Sequence, residues 1–341
     1  MHPTTAADPG TGIVGTSPDQ PRAEPGAMKV FIQIPCLDEE TTLPAVLSSI
    51  PTTIEGVDEI HVLVVDDGSS DRTSEVAREH GVGHVLRHTR TQGLARSFRD
   101  GVDYALRHGA DVVVNTDGDN QYPQERIPDL VGPIVAGLAD IVIADRQTAT
   151  IAHFSPLKKA LQRLGSAVVN GAADTRLPDA ASGFRAYSRA SLLRLNVVTE
   201  FSYCMETIIQ AGHKRLRIVS VPVTTNPKTR ESRLFRSMWH HIARSASAIT
   251  RSYLMFKPQV VFAVLTATFA VLALVPMVRF LVLWMVEGSA AGHVQSLIFG
   301  AIMAVAALLA AALGVISELQ RTQRILIEDA LQRLKEIQYS R

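Results

Sequence analysis

Two stretches of this chain run longer without a charge than the core helix of a water-soluble protein usually does. Val260 to Val278 carries none, and the apolar character continues to Val286, broken only by Arg279. A short polar loop, Glu287 to His293, follows, and Val294 to Ser317 is again uncharged. About 20 apolar residues in a helix cover the ~30 Å of a bilayer's hydrocarbon. Two membrane-spanning helices, 258–286 and 294–317, are therefore expected, with Arg279 reaching toward the interface along its aliphatic stem. Lys228, Arg230, Arg233, Arg236, Arg244, Arg251 and Lys257 precede the first span, against the single acid Glu231. Arg321, Arg324, Arg333, Lys335 and Arg341 follow the second, and the loop between the spans has no Lys or Arg. Basic flanks mark the cytoplasmic side, so both termini and the large N-terminal region are expected in the cytoplasm, anchored to an inner or plasma membrane by the hairpin.

The hairpin constrains the rest of the 341 residues. Residues 1–27, rich in Pro, Thr, Ala and Gly without an apolar run, read as a disordered tail and not a signal peptide. Residues 28–233 are long enough for one α/β domain. Residues 234–257 alternate apolar and basic positions as juxtamembrane amphipathic helices do, and 318–341 reads as a cytoplasmic C-terminal helix. In that last segment Ile327, Ala330, Leu331, Leu334 and Ile337 form one apolar stripe. It can pack on another subunit of a homo-oligomer or rest on the membrane, and the sequence leaves both open. A formal net charge of +1 gives no general attraction to nucleic acid. The two cysteines, Cys36 and Cys204, lie too far apart to suggest a zinc site and fit a reducing compartment.

Within 28–233, short apolar runs alternate with helical periodicity. VFIQI (30–34), HVLVV (61–65), DVVVN (111–115), DIVIA (140–144) and RIVSVPV (217–223) read as strands. Residues 71–80, 92–108 and 124–138 read as helices between them. Such alternation predicts an α/β fold with a mainly parallel, doubly wound sheet. Ligands of these sheets bind beyond the carboxyl ends of the strands, and four predicted strands end in acids there. Pro35-Cys36-Leu37-Asp38-Glu39-Glu40 follows the first, Asp66-Asp67 the second, Asp117-Gly118-Asp119 the third and Asp145-Arg146 the fourth. There is no G-x-G-x-x-G or G-x-x-x-x-G-K-[ST], which argues against dinucleotide-binding Rossmann and P-loop sites.

Asp117 and Asp119, two residues apart on an extended segment, can face one spot, and Gly118 lets the backbone come close. Two carboxylates that near repel unless a cation sits beside them. A hard divalent ion, Mg²⁺ or Mn²⁺, fits oxygen ligands and is commonly shared with substrate phosphates. Asp66 or Asp67 can accept hydrogen bonds from a ribose or a nucleobase edge, while Ser70 or Asp71 can cap the following helix.

Taken in order, IPCLDEE, VVDDGSSDRT, TQGLARS, NTDGDNQYPQE and SGFRAYSR resemble the family 2 glycosyltransferases of GT-A (Rossmann-like) fold. With the C-terminal hairpin they resemble in particular the polyprenyl-phosphate glycosyltransferases, the dolichyl-phosphate mannose synthase-like branch. The resemblance implies nucleotide-sugar contacts from Pro35, Leu37, Glu39, Asp66, Asp67, Gly93, Asp117, Gly118 and Arg185, with Leu37 standing where the family has Tyr. It implies Asp117, Asp119 and Gln121 as the metal site, for Mg²⁺ or Mn²⁺. It implies Asp119, Arg146, Arg163 and Arg230 as catalytic residues, the arginines facing phosphate. Glu206 either fixes such an arginine, faces the sugar, or is an ordinary exposed helix residue.

The reaction so implied moves a hexose from a UDP- or GDP-sugar donor to a polyprenyl phosphate acceptor on the cytoplasmic leaflet of the bilayer. A phosphate monoester is largely dianionic near neutrality and can attack without an enzymic base, so a single inverting displacement is expected. Two other readings compete: a family 2 transferase acting on a sugar hydroxyl, and a membrane-bound nucleotide-sugar-binding protein without catalysis. The absence of Q-x-x-R-W speaks against a processive synthase. The sugar, the base and the polyprenol length stay open.

Overall fold

A computed structural model describes residues 27–147, 165–167, 169–171, 173–198, 203–226, 258–288 and 294–340. The expectations on Arg163, Arg230, the tail 1–26 and the juxtamembrane segment 234–257 lie outside them.

Seven strands form one sheet: β1 (Lys29–Cys36), β2 (Glu59–Asp66), β3 (His84–Arg87), β4 (Val112–Asn115), β5 (Ile141–Asp145), β6 (Arg185–Ser188) and β7 (Ile218–Pro222). Their spatial order is β3-β2-β1-β4-β6-β5-β7. Every pairing is parallel except those of β6, which runs antiparallel between β4 and β5. Central strands covered on both faces read as continuous apolar runs, and β1 is buried at all but its first residue.

Side chains alternate between two cores, as a period of two requires. Phe31, Leu63, Val65 and Val113 enter one, beneath α3 (Leu94–Arg107), α5 (Arg189–Arg194) and α6 (Tyr203–His213). Val30, Ile32, Val64 and Val114 enter the other, beneath α1 (Leu43–Ser48), α2 (Thr73–Glu79) and α4 (Ile127–Val135). Helices on both faces confirm the doubly wound expectation. The five predicted strands and the helices at 71–80 and 92–108 are present with shifts of one or two residues at most ends. The helix expected over 124–138 is a 3-10 turn, Gln124–Arg126, followed by α4.

Two strands carry no readable signal in the sequence. β3 and β6 have four residues each, HVLR and RAYS, and neither is a continuous apolar run as β4 is. β6 is a strand because neighbours pair it on both sides, Val113 with Tyr187 and Val142 with Ala186.

The C-terminal part is a hairpin of α7 (Pro258–Glu287) and α8 (Val294–Gln338). Both are long and apolar enough to cross a membrane. Gly300 and Gly314 let the helices approach: a Cβ on Gly300 would meet Met277 Cγ at 2.5 Å, and one on Gly314 would meet Phe262 Cβ at 3.1 Å. Small residues at such seams are how helices pack where water provides no drive. Arg279 lies on the outer, exposed surface of α7.

α8 runs unbroken through residue 317, where composition divides the second apolar span from the charged segment beyond it. That charged half returns to the α/β domain. Lys335 Nζ donates to Leu195 O (2.7 Å), and Glu328 pairs with Lys214 at 3.1 Å. The Tyr339 hydroxyl bonds Asp103, its carbonyl accepts from Arg189, and its ring is 8% exposed.

Candidate functional site

The carboxyl rim is assembled from loops that bond one another. After β1 the chain turns at Asp38 with φ 51°, a left-handed conformation that Asp tolerates. Asp38 N–H donates to Ser69 Oγ (2.9 Å), Glu39 N–H to Thr73 Oγ1 (2.8 Å) and Glu40 N–H to Asp71 Oδ2 (3.1 Å). In return Asp38 Oδ1 accepts from Ser70 N–H at 2.8 Å. The loop after β1 and the loop after β2 are thus one unit. Leu37, at 38% exposure, is the large apolar side chain this unit leaves at the surface.

Asp66 and Asp67, expected to meet the nucleoside, are heavily engaged inside the protein. Asp66 is fully buried and accepts from Ser69 N–H (2.8 Å) and from the Ser74 hydroxyl, with Arg87 Nε at 3.5 Å. Asp67 accepts from Gln92 N–H (2.9 Å) and Gly93 N–H (2.8 Å), and His88 Nδ1 lies 2.7 Å away. Gly93 has φ 96°, which only glycine adopts without strain, and leads into α3. Asp67 therefore shapes the 88–93 loop at the entrance to α3.

The Asp117-Gly118-Asp119 loop leaves β4 beside this unit. A Cβ on Gly118 would meet Cys36 Sγ at 2.9 Å and Glu39 Cγ at 3.3 Å, so close packing against the end of β1 demands glycine. Thr42 Oγ1 lies 2.8 Å from Gly118 O and 2.7 Å from a Glu39 carboxylate oxygen, joining the first loop to this one. Gln121 holds Asp119, donating from its backbone N–H at 3.1 Å and from its side-chain amide at 2.8 Å. From beyond β7, Asn226 fastens the far side, donating from its backbone to Gln121 O (2.9 Å) and from its side chain to Asn120 O (3.1 Å).

Asp117 differs from the other rim acids. No hydrogen bond to its carboxylate occurs among the described residues. Burial, then the charge of Asp119 and to a lesser degree that of Glu39, lift its pKa from the ordinary carboxylate value to about 7, against the opposing pull of Arg146. Above it lies Gly183, clamped at both ends: its N–H donates to the Tyr122 hydroxyl (3.0 Å), and its carbonyl accepts from Asn115 Nδ2 (3.0 Å). A Cβ there would press both Asp117 oxygens at 3.3 Å. Asn115 is the hub beneath, also accepting from Gln33 Nε2 (2.9 Å) and donating to the Tyr203 hydroxyl (2.8 Å).

Arg146 makes a two-point ion pair with buried Asp179, Nε to Oδ2 at 2.6 Å and Nη2 to Oδ1 at 3.0 Å. Burial works against its charge, but Tyr122 and Asp179 outweigh that and raise its pKa. For Asp179 burial pushes upward, and the bond and charge of Arg146 carry its pKa below the ordinary value.

Arg185, expected to contact the donor, lies beneath the rim. It is wholly buried and donates to Ser182 O (2.6 Å), Cys204 O (2.8 Å), Thr207 Oγ1 (3.1 Å) and Ala180 O (2.9 Å). As the first residue of β6, it ties the Ser182–Phe184 segment to α6 and supports the rim from below. Glu206 is 4% exposed, not a surface helix residue, and accepts from Val198 N–H at 3.1 Å. Pro35 is the last residue but one of β1, and Glu39 sits in the loop that follows. Asn115, Tyr122, Tyr203 and Asn226 escaped the sequence reading, because a lone polar or aromatic side chain has no pattern of its own.

The described residues hold no group of three or more His, Cys, Asp or Glu suited to a metal. What they hold is a pair of carboxylates, one lifted to a pKa of about 7 by burial and its neighbour's charge, with an amide side chain beside it. That donor set fits a hard divalent ion that takes its remaining oxygens from a ligand.

The family model for glycosyl transferase family 2 matches residues 31–195. The chain is 32% identical over 208 residues to the undecaprenyl-phosphate mannosyltransferase of Micrococcus luteus, covering 58% of this chain and 83% of that protein. It is 27% identical over 227 residues to the polyprenol monophosphomannose synthase of Mycolicibacterium smegmatis, covering 63% and 84% respectively. Among solved structures, the glucosyl-3-phosphoglycerate synthase of Mycobacterium tuberculosis with Mn²⁺, UDP-glucose and phosphoglyceric acid superposes with TM-score 0.51 at 22% identity, covering 67% of this chain and 79% of that one. The architecture held in common is the GT-A fold.

Proposed function

The chain belongs to glycosyl transferase family 2, and from that premise we propose that it transfers a hexose from a nucleoside-diphosphate sugar to a polyprenyl phosphate at the cytoplasmic face of a membrane. The observation that carries the reading is Asp117: an acid without a described partner beside Asp119 on the rim of a GT-A sheet, in a chain with two membrane-length helices. The two relatives, both named as mannose transferases to polyprenyl carriers, make mannose the first sugar to test.

Asp117 and Asp119, with the side-chain oxygen of Gln121, would hold a divalent cation, Mg²⁺ or Mn²⁺. Such an ion supplies positive charge to the diphosphate of the donor. The chain's own residues do the rest. The fused loops after β1 and β2 form the nucleoside end of the site, with exposed Leu37 as an apolar contact for the base. Gly183 keeps the space around Asp117 free of side-chain carbon, and Gly118 lets the loop of the two acids pack on Cys36 and Glu39. Arg146 spends two of its five donors on Asp179, which fixes the plane of the guanidinium, and offers the others to phosphate. Arg163 and Arg230 are further phosphate-binding candidates.

The acceptor needs no enzymic base, because its phosphate is largely a dianion near neutrality. A phosphate oxygen forms the new bond to the anomeric carbon while the bond from that carbon to the nucleoside diphosphate breaks, inverting the configuration. The hairpin holds this chemistry at the height of lipid head groups.

The test is direct. Purified full-length protein in lipid discs, with Mn²⁺, is offered GDP- and UDP-hexoses and a polyprenyl phosphate. A lipid-linked hexose of inverted anomeric configuration is expected. Donor binding without transfer to any polyprenyl phosphate, or transfer only to a sugar hydroxyl, overturns the reading.

A further inference from the structure

The cytoplasmic half of α8 is inside out. Its polar side faces its own α/β domain: Glu328 and Lys335 make the contacts given above, and Tyr339 is buried there. Its apolar side faces away. Ile327 is 59% exposed, Leu334 60% and Ile337 72%, with exposed Ala330 between them.

The bilayer does not cover this stripe. At 1.5 Å per residue the 45 residues of α8 span about 67 Å, more than twice the ~30 Å of hydrocarbon. Counted from Ser317, the end of the uncharged run, Ile327 lies about 15 Å and Ile337 about 30 Å along the helix beyond the span. A tilt of 40° at the upper end of the usual range leaves both well outside the hydrocarbon.

The spacing of the stripe is the one that pairs helices. From Ile327 the steps to Ala330, Leu334 and Ile337 are three, four and three residues, the a/d seam of a coiled coil. The same alternation extends backward through Gln323 and Gln320 to Ile316, Leu313 and Leu309 in the span, the last three 50–60% exposed. One seam thus runs continuously from the membrane into the cytoplasm, with two glutamines at the boundary, where polar seam residues set the register of a pairing.

We propose that this seam is the contact between two copies of the chain, α8 against α8 in parallel, about an axis normal to the membrane. Parallel pairing follows because both copies insert with the same flanking charges and so the same orientation. A twofold contact through one shared patch closes on itself. Each α8 is bound to its own domain through the polar side, so the pair holds both domains at a set angle and height over the bilayer. The inference rests on the hairpin crossing the membrane and not on the chemistry of transfer, so it stands or falls separately from the proposed reaction.

Single cysteines at Ile327, Leu334 and Asp329, in the full chain with Cys36 and Cys204 replaced by Ala, are oxidised mildly in native membranes. Disulfide-linked dimers are expected at Ile327 and Leu334, at least tenfold above Asp329, which lies off the seam. In native-membrane discs the chain should have twice its formula mass, and Leu334→Glu should halve it while transfer per chain persists. Equal cross-linking at all three positions, a monomeric mass of the native chain, or quenching of a fluorophore at residue 334 by brominated lipid tails overturns the proposal.

Discussion

Two acidic strand ends flank β1 on the rim and have opposite fates. After β2, Asp66 and Asp67 are the acceptors around which the loops are built, bonded by Ser69, Ser74, Gln92 and Gly93. After β4, Asp117 has no such bond among the described residues, and burial with its neighbours' charge leaves it at a pKa of about 7. The first pair gives the site its shape and stabilises the fold. The second is an electrostatic cost of the kind that a bound cation relieves. The contrast shows that acidity at a strand end is not a role by itself; the count of donors around each carboxylate assigns it.

The largest expected effect separates the two on activity. Asp117→Asn or Asp119→Asn should lower transfer to polyprenyl phosphate by about a hundredfold to a thousandfold, the scale seen when a group stabilising developing charge is removed. Both should abolish the Mn²⁺-dependent part of donor binding in a thermal-shift titration. Retention of a tenth of the activity in either variant removes the metal assignment.

Stability should move in opposite directions at the two sites. Asp67→Asn strips charge from a buried acceptor of backbone N–H groups and should cost on the order of 2–3 kcal/mol, seen as a lower Tm and faster amide exchange at Gln92 and Gly93. At pH 8 without metal, Asp117→Asn should instead raise Tm, because it removes a charge the fold disfavours by roughly 2–4 kcal/mol.

The same contrast has a pH signature. A carboxyl whose pKa is raised by folding contributes its stability fully below the unfolded value, near 4, and loses it as pH rises through the folded value, about 7. Metal-free protein should therefore lose stability between about pH 4 and pH 7 through Asp117. Mn²⁺ should recover it, with a larger Tm gain at pH 8 than at pH 6 and a proton released on binding near neutrality. A metal-induced gain that does not change with pH contradicts the assigned state of Asp117. The smallest effect is expected for Tyr122→Phe, which removes the acceptor of Gly183 N–H: about 1 kcal/mol of stability and a few-fold loss of turnover.

Much of this was legible along the chain. The uncharged lengths of 260–278 and 294–317 and the apolar runs of β1, β2, β4, β5 and β7 are local properties, carried by neighbours in sequence. So is the acid at each strand end, because a parallel sheet brings all carboxyl ends to one rim. What lay hidden was contributed from a distance. β6 exists through β4 and β5, Arg185 is buried because it begins that inserted strand, and Asn226 reaches the 120–122 loop from beyond β7.

The sequence alone determined that acids would meet on a sheet rim and that a hairpin would be apolar enough to anchor it, since periodicity and uncharged length need no partner to be read. Which acids are spent on loops and which is held near pKa 7, and which side of α8 meets its own domain, only the tertiary structure decided. The reason is that hydrogen-bond donors, burial and neighbouring charge come from residues tens of positions away, and a carboxylate carries no mark in sequence of the company it will keep.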